Sequence, residues 1–336
     1  MNFKAGAPQL ALSLLLLLLP VVMWCLPTGV HATETPLVLA QGYALTGIDG
    51  LQPSGLARCQ GSLVFVSDKH DDRIFQVVLA QADAQQQTVP VTQFRTLKTI
   101  PAPPLSEFSV WQQSKRTLVE FIGLAGGYDW EGITCDVQGN AYLVSEYYFA
   151  VLKVSPDGHG QWVTPSLYAQ GVAAGAFQRD NAYLEGIALW DEDIWLAVER
   201  EPRGLIQVSA THPAWFRVQA GPVLSEQELP WDYTGLSVWQ NQLYVLERNH
   251  HRVCAAQPVA QVAADVMSPC YSFAHLPAQW GFESGPYGTA EGLVVEDHAL
   301  WIITDNNGKA RLNPPPSQTA ADLPDTRPVL LQLAWP

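Results

Sequence analysis

The chain has 336 residues, of which 48% are hydrophobic and only 15% charged, with a net charge of −14. That much apolar material in so long a chain supports a packed core and excludes wholesale disorder. The acidity makes nucleic acid and anionic membrane surfaces poor partners for the body of the protein. It favours a cation, or serves only to keep the chain in solution.

The first segment carries one early charge, Lys4, and then the apolar run LALSLLLLLLPVVMWCL. PTGVHA follows, with small residues at Val30 and Ala32. This is the pattern of an export signal over residues 1–32, cleaved after Ala32. An uncleaved anchor is the alternative, because the run is only slightly shorter than a membrane span. No second span is visible. The expected location is periplasmic or secreted, where disulfides persist.

After the leader comes a strand, PLVLAQGYAL, and then a pattern that recurs five times. The units are SGLARCQGSLVFVSD from Ser54, EGITCDVQGNAYLVSE from Glu131, EGIALWDEDIWLAVE from Glu185, TGLSVWQNQLYVLE from Thr234 and EGLVVEDHALWIITD from Glu291. Each opens on a residue followed by Gly and continues with a short apolar run. A polar turn comes next, then a second β-branched and aromatic run that ends in an acid. The pattern predicts a hairpin of two inner strands, and further short runs complete four. Four-stranded antiparallel units repeated about every fifty residues define an all-β protein, a β-propeller occupying residues 33–336. Five blades are expected. The alternative is six, with the extra blade in an insertion over about residues 101–128. The last strand, PVLLQLAWP, needs a partner. The N-terminal strand is expected to close the last blade and so remove an exposed edge.

A hairpin brings its first and last residues together. The opening acids Glu131, Glu185 and Glu291 and the closing acids Asp68, Glu146, Glu199, Glu247 and Asp305 should then gather at one mouth of the central channel. Ser54 and Thr234 hold two opening positions without charge. Like charges at that density raise one another's pKa or recruit a cation. The expected cofactor is a divalent metal, Ca²⁺ first, because the donors are all oxygen. Glu131, Glu185, Glu291, Glu146 and Glu199 are the candidate ligands. Asp68, Glu247 and Asp305, with the basic residues Arg200, Arg248 and Lys309, are candidate ligand-binding groups. The bland reading is that acids and bases at the mouth pair internally. Lys69, His70, His250 and His251 also follow the closing acids, and Trp130, Tyr147, Tyr148, Trp231 and Tyr233 are expected near the mouth. The glycine after each opening residue should let the inner strands approach closely.

Without the leader four cysteines remain. Cys254 and Cys270 fall on adjacent runs and are expected to form a disulfide. Cys59 and Cys135 lie on inner strands of neighbouring units, one residue out of register, and are expected to be buried thiols.

DWEGI, YLEGIAL, LYVLERN and AEGLVV…IITDNN resemble the phytase-like propellers ("esterase-like activity of phytase") of exported bacterial proteins, and also the SdiA-regulated propellers. The resemblance spans about residues 50–310. It implies an extracytoplasmic propeller with a metal site and hydrolysis of phosphate or other esters. The competing reading is a non-catalytic propeller that binds a small molecule or a protein at its mouth. Either is expected to work as a monomer, without nucleic acid.

Overall fold

The alternating apolar runs pair into strands because each can bury both faces between its neighbours. The computed structural model describes residues 34–104, 127–209, 214–219, 229–257, 266–276, 280–281, 289–311 and 325–336. The leader and most of the predicted insertion fall outside the described residues. No helix among the described residues is long and apolar enough to cross a membrane.

The chain enters through β1 (Thr35–Pro36) and β2 (Val38–Thr46). The first four-stranded unit is β3 (Pro53–Cys59), β4 (Ser62–Ser67), β5 (Arg73–Val77) and β6 (Thr88–Thr96). The second is β7 (Trp130–Cys135), β8 (Ala141–Ser145), β9 (Ala150–Val154) and β10 (Gly160–Trp162). A short helix, α1 (Tyr168–Ala173), leads to the third: β11 (Leu184–Trp190), β12 (Asp193–Val198), β13 (Arg203–Val208) and β14 (Trp215–Gln219). The fourth is β15 (Gly235–Trp239), β16 (Gln242–Glu247), β17 (Arg252–Gln257) and β18 (Val266–Ser272). The fifth joins β19 (Ala290–Glu296), β20 (Ala299–Thr304) and β21 (Val329–Ala334) to β2, which runs antiparallel to β21 with Tyr43 opposite Leu330. The N-terminal strand thus closes the last blade as expected. It does more than that, because β2 also pairs parallel to β6 of the first blade, and β1 pairs parallel to β18 of the fourth.

The repeated glycines bring the inner strands together. A methyl group on Gly55 would meet the backbone of Gly132. Gly132 in turn abuts the Glu185 carbonyl, Gly186 abuts Gly235, Gly235 abuts Gly292 and Leu293, and Gly292 returns to Gly55. A side chain at Gly55, Gly132 or Gly292 would meet backbone closer than 3.0 Å and push blades apart, which is why the pattern demands glycine there. The apolar core lies between blades: Phe65 and Phe75 pack with Trp301 and Ile303, for example, and Trp130 packs with Val64 and Leu152.

Cys254 and Cys270 face each other across β17 and β18 and are disulfide-bonded. The expected thiols are not free. Cys59 and Cys135 form a second disulfide with Cα atoms 5.4 Å apart, tying the first inner strand to the second. The β-bulges of the two inner strands do not remove the one-residue offset, because both precede the cysteines. In β3 the extra residue falls between Ser54 and Ala57, after the motif's first position, whereas in β7 it falls before Gly132. Cys59 stays four residues after its motif glycine and Cys135 three after its own, and the bridge spans that offset between adjacent inner strands. Replacing Cys59 and Cys135 together by Ser should cost about 2–4 kcal/mol, and more than the same change at Cys254 and Cys270. The reason is loop length, since the sequence separations are 76 and 16. Urea unfolding midpoints of the two double variants test the order, and an equal or reversed loss would contradict it.

Candidate metal centre at the acidic mouth

The opening acids owe their direction to local irregularities. The β-bulges in β7, β11 and β19 span Glu131, Glu185 and Glu291, whereas β15, which begins just after Thr234, has none. An extra residue in one strand bends it and re-aims a side chain. All three glutamates line one cavity of about 430 Å³ at one mouth of the ring. Ser54, Asp68, Glu146, Glu199 and Asp305 line it too, as do Arg200 and Arg248.

Two expected residues stand elsewhere. Lys309 does not line the cavity; Asn307 does so from the same turn. Glu247 is fully buried away from the mouth. It accepts from Arg203 Nη1 at 2.6 Å and from Arg252 Nε. The hairpin register gives the reason. Second after each motif glycine come Ala57, Thr134, Ala188, Ser237 and Val294, which face Val64, Tyr142, Trp195, Tyr244 and Trp301. Four positions beyond those partners stand Asp68, Glu146, Glu199, Arg248 and Asp305. In the fourth unit the residue delivered to the mouth is therefore Arg248, one place past Glu247.

His250 and His251 also lie off the cavity. His250 packs edge-on against Trp231, and His251 against Phe273. Of the aromatic residues expected near the mouth, Trp130 and Tyr233 are fully buried core.

Two acids that the repeat did not single out belong to the site. Asp129 lines the cavity. Asp232 is fully buried and accepts from Arg248 Nε at 3.0 Å and from the Asn249 backbone N–H at 3.0 Å. Each stands two residues ahead of a motif's first position.

The mouth has two halves of different character. On one side the Arg248 guanidinium donates Nη1 to both oxygens of Glu291, at 2.8 and 2.9 Å, and Nη2 to Glu199. Burial alone would lower the Arg248 pKa, but Glu291, Asp232 and Glu185 raise it, so the cation is held firmly. On the other side carboxylates face carboxylates. Asp129, Glu131 and Glu146 offer oxygens all within 4.8 Å of one another, and so do Glu146, Glu185 and Glu199. Glu146 belongs to both sets and accepts from the Tyr183 backbone N–H at 2.9 Å. Arg200 donates to Glu199 and to the Asn181 carbonyl, and Lys69 donates to Asp68 at 2.6 Å.

Burial, then like charge, pushes Glu131 and Glu146 well above the ordinary carboxylate range. Burial pushes Glu185 up to about 8 despite Arg248 and Arg200. It pushes Glu291 up to about 7 and Asp305 up to about 6. A metal ion fits this half of the mouth on its chemistry. The donors are all oxygen, Glu199 Oε2 is buried without a partner, and Glu185 accepts no hydrogen bond among the described residues.

Fold and site together define an acid-mouthed β-propeller. A model of the phytase-like family, "esterase-like activity of phytase", matches residues 46–308. The chain belongs to that family. No curated protein matches it. Solved structures similar in fold include glutaminyl cyclase from Myxococcus xanthus, at 12% identity and a TM-score of 0.48, covering 90% of this chain and 97% of that one. The PQQ-bound aldose sugar dehydrogenase of Streptomyces coelicolor matches at 13% identity and a TM-score of 0.44, covering 90% and 98%. A gluconolactonase from Xanthomonas campestris matches at 13% and 0.40, covering 90% and 99%. These likenesses are of fold alone.

Proposed function

We propose that the protein is an exported, metal-dependent hydrolase of phosphate or other esters, acting at the acidic mouth with one divalent ion, Ca²⁺ first. The observation that carries this reading is the pair of carboxylate sets joined at Glu146. Five buried or half-buried acids crowd there without enough counter-charge, and such a group must take up protons or a cation. Asp129, Glu131, Glu146, Glu185 and Glu199 would hold the ion on the side of the second and third blades. When bound, it supplies a Lewis acid for an ester oxygen. Arg200 and Lys69, which line the same cavity, would steady an anionic group on the substrate. Burial raises both Glu185 and Glu131, so an ion held here would displace protons from them. The two disulfides support an oxidising compartment, in keeping with removal of residues 1–32.

The test is a screen of the purified protein, without residues 1–32, against chromogenic phosphate and carboxylate esters. Hydrolysis should require Ca²⁺, vanish on chelation and vanish in Glu185→Gln. A protein that binds Ca²⁺ yet hydrolyses none of the esters would favour the non-catalytic binding propeller.

A further inference from the structure

In four of the five hairpins the residue delivered to the mouth at the end of the second strand is an acid: Asp68, Glu146, Glu199 or Asp305. In the fourth it is a cation, Arg248. The fourth unit lacks the opening acid as well. Thr234 takes that place and donates its hydroxyl to the Ala290 carbonyl at 3.0 Å. The exception is built rather than incidental. Arg248 is only 8% exposed, and its guanidinium reaches carboxylates from three directions: Glu199 after β12, Asp232 before β15 and Glu291 on β19.

The segment carrying Asp232 is itself clamped. Asn249 Nδ2 donates to the Pro230 carbonyl at 2.9 Å, and the Tyr233 backbone N–H donates to the Glu199 carbonyl at 2.9 Å. The Arg203 guanidinium lies over Trp231, its Cζ 4.2 Å from the ring centroid. The three carboxylates are thus held facing one point, and the guanidinium fills that point.

We propose that Arg248 is a covalently held substitute for a second metal ion, and that it restricts the mouth to one ion on the opposite side. Three buried carboxylates converging on one point form a hard-cation position, of the kind that a divalent ion would otherwise occupy. A guanidinium satisfies the same oxygens with directed hydrogen bonds and cannot dissociate. Glu199 is shared, since it belongs to the carboxylate set on the metal side and accepts from Arg248 on the other. The inference rests on the metal reading above for the first ion but not for the second.

The experiment is calorimetric titration of chelator-treated protein with Ca²⁺. Wild type should take one equivalent, Arg248→Gln two and Arg248→Lys one. Guanidinium at low millimolar concentration should suppress the second equivalent in Arg248→Gln and leave the first. In the wild-type background Glu291→Gln should still bind one ion, with affinity within about threefold, whereas Glu185→Gln should bind none. A folded Arg248→Gln that takes a single equivalent overturns the substitution while leaving the metal reading intact. Should wild type take none, the metal reading fails, and one equivalent gained by Arg248→Gln would still support the substitution. Should Arg248→Gln not fold even in Ca²⁺, Glu291→Gln decides: loss of its ion shows that the two halves are one site and overturns the inference.

Discussion

Chelator-treated protein should lose stability as the pH rises, and Ca²⁺ should restore it only at the upper end of the range. Glu185 in the folded chain titrates at about 8, Glu291 at about 7 and Asp305 at about 6, against ordinary values of 4.5, 4.5 and 3.8. Between these limits the folded state binds more protons than the unfolded one. Stability is therefore greatest below the unfolded values and falls as the pH climbs through the folded ones. The loss should amount to several kcal/mol between about pH 5 and pH 8, with Glu185 the largest contributor. A metal ion reverses the trend because it takes the place of the protons, so its effect grows with pH. At a hundred times its dissociation constant it adds about 2.7 kcal/mol. Glu185→Gln removes the charge and keeps the shape. Its metal-free form should be more stable than wild type at about pH 8, and its melting temperature should ignore Ca²⁺. Melting curves across the range, with and without millimolar Ca²⁺, check all three statements. A wild type more stable at about pH 8 than at pH 5 without metal, or a Glu185→Gln variant that Ca²⁺ still stabilises, would remove the site.

The blades were legible because burial on both faces forces continuous apolar runs, and because turns between them need Gly, Asp or Asn. The gathering of Glu131, Glu185 and Glu291 followed from hairpin closure alone. What alignment of the units on their acids does not carry is a contact made one residue out of step, or a closing position filled by a base. The Cys59–Cys135 bond is such a contact, and Glu247, the acid that ends its run, stands one place short of the mouth position that Arg248 fills. A trace was present: the fourth unit spans 13 residues to Glu247 against 14 or 15 elsewhere, and counting to Arg248 restores 14. Asp129 and Asp232 left a trace as well, since DWEG and WDYTG each place an acid beside a tryptophan two residues before the opening position. That trace lies in the approach loops, where no periodic burial marks it.

The largest loss of stability is expected from Gly292→Ala, about 4 kcal/mol or more, enough to leave little folded protein. A methyl group there would lie well within 3.0 Å of the Gly55 carbonyl carbon and the Leu56 nitrogen. Both are backbone atoms of an inner strand pinned in the first blade, so neither can yield as a side-chain end would. Gly132→Ala should be nearly as severe, with its methyl 2.6 Å from the Glu185 carbonyl oxygen. Gly55→Ala adds strain to contact, for its φ of +60° is one that alanine adopts only at a cost. Gly235→Ala is the contrast. Its nearest neighbour is the Leu293 Cδ2 at 3.0 Å, the end of a side chain that can turn aside, and the loss should be about 1–2 kcal/mol. Chemically the four substitutions are identical, so the ordering isolates the backbone contact between blades from the propensity of alanine for a strand. Gly292 touches Gly55 where the last blade meets the first, and β2 already pairs with both β21 and β6 across the same junction. A forced gap there works against those ladders as well as against its own contact. Urea unfolding of the four variants reads the series directly. Equal midpoints for Gly292→Ala and Gly235→Ala would show that the ring is held by the outer strands, and that the glycine circuit has no part in closing it.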